Sequence, residues 1–122
     1  MSQNLIAANN LNPQVLVSEQ IAAANTETTV YQVAAAASVT VATAWLCNTT
    51  ASAVTVSVSV CQSGQTAGAT NRVVDAYPLA ANDTLSLTPY LGGALMGPGD
   101  FVSVNVGTAA AVNFGATGAV GS

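Results

Sequence analysis

Charge is nearly missing from this 122-residue chain, which holds a single Lys or Arg (Arg72), five Asp or Glu, and no His. Charged residues make up 5% of it, against about 25% in ordinary globular domains. The missing cations remove the electrostatic footprint of a nucleic-acid binder, which needs several Lys or Arg to neutralise phosphates, and that of a protein drawn to anionic membranes. Without His there is no imidazole base and no zinc site of the common kinds; without Lys there is no Schiff base and no phosphate-binding lysine. The serines have no base to activate them and the two thiols have no partner His, so neither an enzyme nor a cofactor is expected. Aromatic residues are 5% of the chain, too few to line a cleft around a glycosidase carboxylate pair. Long apolar runs are missing too: no window approaches the roughly 18 uninterrupted apolar residues of a membrane-spanning helix. The start Met1-Ser2-Gln3-Asn4-Leu5 has no positive residue and leads into no apolar core of a signal peptide, which predicts a protein made in the cytoplasm without a secretory leader.

What the chain does contain is small. Ala, Val, Thr and Ser together exceed half of it, and 51% of its residues are hydrophobic. High hydrophobicity with low charge is the reverse of a disordered composition, and the length suits one domain. From Glu27 onward the apolar residues alternate with period 2, the mark of half-buried strands. Thr28–Val33 is one such run. Val39, Val41, Trp45 and Cys47 lie on one face of the next, and Val54, Val56, Val58 and Val60 give the cleanest alternation in the chain. Further strands are expected at Arg72–Tyr77, stopped by Pro78, at Thr84–Thr88 with Leu85 and Leu87, and at Val102, Val104 and Val106. Val112 and Phe114 close a hairpin in which Val104 faces Phe114. Seven or eight short antiparallel strands with turn signals every 8–12 residues or so predict an all-β fold, a single β-sandwich or jelly roll over residues 21–122. Its core is assigned to Val39, Val41, Trp45, Cys47, Val54, Val56, Val58, Val60, Leu85, Leu87, Val102, Val104 and Phe114, together with Phe101.

Residues 1–20 break the pattern and predict an extended N-terminal arm. Its apolar members Leu5, Ile6, Val15, Leu16 and Val17 are candidate contacts to a neighbouring subunit. Folding 54–61 back on 39–48 as a hairpin centred near Thr50 and Ala51 places Cys61 about seven residues along the ladder from Cys47, on the order of 23 Å, so both are expected as free thiols, buried or half-buried. Asp75, Asp83 and Asp100 are oxygen donors of the type Ca²⁺ takes, but their spacing matches no loop motif, and turn hydrogen bonding accounts for two of them; no metal is assigned. Arg72 is expected to pair with a carboxylate. Tyr31, Tyr77 and Tyr90 are candidates for a small sugar-stacking platform, with edge or interface packing the plainer role.

Six segments resemble a small β-sandwich module of tailed-bacteriophage virion proteins. They are Thr28-Thr29-Val30-Tyr31-Gln32-Val33, Leu46-Cys47-Asn48-Thr49, Ala53-Val54-Thr55-Val56, Gln65-Thr66-Ala67-Gly68, Ala81-Asn82-Asp83-Thr84-Leu85 and Gly99-Asp100. The resemblance covers about three quarters of the chain and departs where the module carries Pro-Ala-Gly-Lys and this chain has Ala34-Ala35-Ala36-Ala37. It implies a non-enzymatic part of a virion, in the capsid or the tail, with no catalytic residues to carry over. The expectation is a capsid decoration protein acting as an oligomer, a homotrimer, whose partners are its own copies and the major capsid protein or another virion subunit. The alternatives are a tail or tail-tip protein and a receptor- or glycan-binding module. A nearly uncharged surface supports assembly, because a dispersed monomer normally relies on charge to stay soluble.

Overall fold

A computed structural model describes residues 12–121. Their strands are β1 (Asn12–Gln20), β2 (Thr28–Gln32), β3 (Ser38–Asn48), β4 (Val54–Cys61), β5 (Arg72–Leu79), β6 (Thr84–Ser86), β7 (Leu95–Met96), β8 (Phe101–Val106) and β9 (Val112–Gly121), with a one-turn helix α1 (Thr88–Leu91) between β6 and β7. They form two antiparallel sheets. The first has the order β1-β9-β3-β6, with β7 also paired to β3; the second has the order β2-β8-β4-β5. The β-sandwich expected from the alternation is therefore the fold.

The pairing differs from the sequence reading at both proposed hairpins. β3 lies in the first sheet and β4 in the second, so the chain crosses the sandwich between Asn48 and Val54 instead of turning back on itself. β8 and β9 are split in the same way, and Val104 and Phe114 meet in the core from opposite sheets. Period 2 fixes which side chains face inward; it is the same for a hairpin and for an arch that changes sheets, so alternation alone does not choose the partner strand. The cysteine separation argued from that hairpin falls with it, although both thiols are free, Cys47 half-buried and Cys61 buried.

Between the sheets lie Val39, Val41, Val54, Val56, Val58, Leu87, Val102, Val104 and Phe114, all buried. Val60 and Leu85 are half-buried and pack against the core, whereas Phe101, also half-buried, stands on the outer side of β8 opposite Cys61 and is not part of it. Trp45 and Cys47 are not core residues. A bulge at Ala42, where Val41 and Thr43 pair with the adjacent Gly118 and Thr117, inserts one residue into β3 and flips everything after it. Ala44 and Leu46 take the inward positions while Trp45 turns outward. The core assignment also passed over Ile21, Val30, Leu79, Leu91 and Met96, which sit at strand ends, at a bulge or in connections.

Both ends of the described chain are longer strands than the alternation marks. Asn12–Gln20 pairs along its length with β9, so the chain from 12 to 20 belongs to the first sheet; Leu5 and Ile6 fall outside the described residues. Val15 is 61% exposed, while Leu16 and Val17 pack against the core. The Gly- and Ala-rich end becomes β9, the strand between β1 and β3. Pro78 lies inside β5 rather than ending it, which an edge strand tolerates because its outward N–H is not needed by the ladder.

Candidate functional site

The two outer faces of the sandwich differ, and the difference begins with where the few charges fall. Glu27, just before β2, and Arg72, opening β5, sit over the outer face of the second sheet. Arg72 Nη2 reaches Glu27 Oε2 at 2.6 Å, Nη1 donates to Glu27 Oε1 and to Ser59 Oγ, and Glu27 also accepts from Ser103 Oγ and Asn105 Nδ2. Asp75 adds a longer contact, 3.7 Å from Arg72 Nε, which has no hydrogen-bond partner of its own. Beneath this network Ser59 and Ser103 are 0% and 1% exposed, and Ser59 Oγ also donates to the Gly68 carbonyl of the loop between β4 and β5. The chain thus covers much of this face with its own ion pair and loop. The expected pairing of Arg72 is intramolecular.

Hydrogen bonding to Arg72, joined by Asn105 and Ser103 and opposed by burial, holds the Glu27 carboxyl down from 4.5 to about 2. Hydrogen bonding to Glu27 in turn raises Arg72. Burial, with the Glu27 charge adding to it, pushes the Cys61 thiol up. Because the folded pKa of Glu27 lies below its unfolded value, the pair stabilises the fold above about pH 4.5, and that contribution is lost as pH falls toward about 2. The expected loss is about 2 kcal/mol after allowing for solvent screening of a partly exposed carboxylate. Urea midpoints measured between pH 6 and pH 2 will show the decline, and Glu27→Gln will start lower at pH 6 and decline less.

The outer face of the first sheet is of another kind. Its cross-strand rows run Pro13, Ala119, Thr40, Leu95; then Val15, Thr117, Thr43; then Ser18, Gly115, Trp45, Ser86; then Gln20, Asn113, Cys47, Thr84. No charged side chain stands in these rows. Glu19 falls on the other side of β1 by alternation, and Asp83 sits in the turn before β6. Leu95 is 77% exposed, and beside it lies a shallow open depression of about 360 Å³ lined by Pro13, Gln14, Thr40, Ala42, Thr117, Gly118 and Ala119. Trp45, half-buried, lies over Gly115.

The strand edges are blunted rather than open. β1 has Pro13 and a bulge at Leu16, and β2 has a bulge at Val30. β5 has Pro78 and a bulge where Ala76 takes φ 49° and gives its N–H to Ser57 Oγ. β6 and β7 are three and two residues long. These are devices that discourage strand-to-strand growth, and they need no lysine. The valine-rich β4, which as an edge would invite aggregation, is flanked on both sides.

The remaining sequence candidates do not converge. Asp75 lies against Arg72, Asp83 accepts the Thr84 N–H, and Asp100 accepts the Ser63 and Gly97 N–H groups; no cluster of three metal-binding side chains occurs among the described residues. Tyr31 and Tyr77 lie on opposite edge strands of the second sheet, and Tyr90 is on α1, so the three tyrosines form no common platform. Sequence reasoning missed Asn48. It is fully buried at the end of β3, its Nδ2 donating to the Ser52, Leu79 and Ala80 carbonyls and its Oδ1 accepting from the Thr50 N–H and hydroxyl. A buried Asn before a Ser/Thr turn was the only signal available for it.

Fold and faces together define a small antiparallel β-sandwich with one self-covered face and one open, uncharged face. No family model and no curated protein matches the chain. Among solved structures it is similar to a chain of infectious bursal disease virus, Gx strain, with 11% identity and a TM-score of 0.40 over 93% of this chain. The match spans 33% of that viral chain, so this protein corresponds to about a third of its length.

Proposed function

We propose that this chain is a non-enzymatic structural protein of a bacteriophage virion, acting as a shell-stabilising decoration protein on the outside of the capsid. The observation that carries the reading is the place of the residues behind the phage-module resemblance. Asn48 ties the crossing from β3 to β4 to the end of β5. Asp100 joins its own turn to the loop after β4, next to Gly99 at φ 81°. The shared motifs fasten the sandwich, a role that fits a structural part. A fold held this way, with few surface charges, suits a part whose work is to be packed against other subunits. Quantitative gel analysis of purified virions tests it. Copies in proportion to the shell lattice are expected, and a few copies per particle would move the protein to the tail.

A further inference from the structure

We infer that the open face of the first sheet is where a second copy of this chain docks, two-fold and face to face. Three observations lead there. Strand addition is obstructed at the edges by Pro13, Pro78 and the bulges, which leaves faces rather than edges for self-contact. The second sheet's outer face is occupied by the chain's own Glu27–Arg72 network, whereas the first sheet's rows have no such cover among the described residues. Charge then selects the partner: the chain is net −4, and this face is the approach that brings two copies together without opposing carboxylates in its rows.

Shape agrees with a self-complementary contact. A two-fold interface needs a patch that offers both a projection and a recess, since residue i meets j and j meets i. Leu95 projects at one end of the row whose Thr40 and Ala119 line the depression, so each copy supplies a leucine and a socket. The long strands β1, β9 and β3, about 4.8 Å apart, with the short β6 and β7 beside them, present about 500 Å² per copy, or about 1,000 Å² for the pair, the lower bound of a specific interface. A single patch pairing with itself gives a dimer, in place of the trimer expected from sequence.

Sedimentation equilibrium of the full chain over a concentration series tests this. The expected mass is two chains. Leu95→Lys and Val15→Lys, both at exposed positions, are expected to weaken the dimer at least tenfold, and Thr29→Lys on the second sheet is expected to leave it unchanged. Trp45, the chain's single tryptophan, lies within the face, so its emission should shift to the red on dilution in step with the mass. A one-chain mass at all concentrations, a three-chain mass, or a dimer indifferent to Leu95→Lys would overturn the inference. So would a monomer whose binding to purified shells is lost in Leu95→Lys, which would give the face to the shell. A tail copy number in virions would leave the dimer standing, so this result is separable from the capsid assignment.

Discussion

Gly118→Ala is expected to destabilise the fold by about 4 kcal/mol, and Gly115→Ala by about 2–3 kcal/mol, in urea denaturation of the full chain. β9 runs between β1 and β3. A Cβ on Gly118 would overlap the Thr40 carbonyl oxygen and crowd Val41 Cα, both backbone atoms held by the β3–β9 ladder, and neither moves without breaking register. At Gly115 the clash is with the Trp45 indole, a side chain that is half-exposed and can turn away. The difference gives a clean check. Trp45→Ala should make Gly115→Ala nearly neutral, because the atoms it collides with are gone, while Gly118→Ala should cost the same in either background. If the two glycine substitutions cost equally and neither responds to Trp45→Ala, the losses come from the conformational preferences of Ala and Gly and not from close approach.

Asn48→Ala should cost about 3 kcal/mol and lower Tm by roughly 10 °C. The Ser52 and Ala80 carbonyls keep the Thr50 hydroxyl and the Asp83 N–H, but the substitution takes the side-chain donor from the buried Leu79 carbonyl and the acceptor from the Thr50 N–H. Leaving such groups unpaired costs more than the hydrogen bonds themselves contribute, because they give up water without replacement. Asn48→Asp is the sharper variant. The acceptor toward Thr50 survives, but a carboxylate would face three carbonyl oxygens, so its loss should match or exceed that of Ala and should ease as the acid protonates at low pH. Thermal melts at pH 7 and pH 4 separate the two variants.

Much of the architecture could be read from the residues because valine and hydroxyl alternation has one structural meaning: Val54, Val56 and Val58, or Val102 and Val104, face a core wherever their strands pair. What alternation does not encode is the partner. Nothing in Thr49–Ala53 marks a crossing rather than a turn except Asn48, whose importance depends on carbonyls some thirty residues on at Leu79 and Ala80. The bulge at Ala42 likewise has no composition of its own in a run of Ala, Thr and Val, and missing it put Trp45 and Cys47 on the wrong side. Gly115 and Gly118 carry no strand signal because glycine usually weakens strands; here the absent side chains admit an indole and a neighbouring backbone. The open face was half visible. The scarcity of charge carries the expectation of assembly, but only the placement of Glu27 and Arg72 shows which side the chain covers for itself.

The position of β9 also governs when the molecule can exist. It is the last described strand along the chain, yet it joins β1 to β3, so the first sheet has no centre until Gly121 has been synthesised. The second sheet can close as soon as β8 emerges, since β2, β4, β5 and β8 all precede Val112. A chain interrupted before that point holds half a sandwich and no outer face on β1, β9 and β3. Synthesis order therefore acts as an inspection step: a chain stopped before β9 lacks the first sheet's outer face, on which the docking proposed above depends.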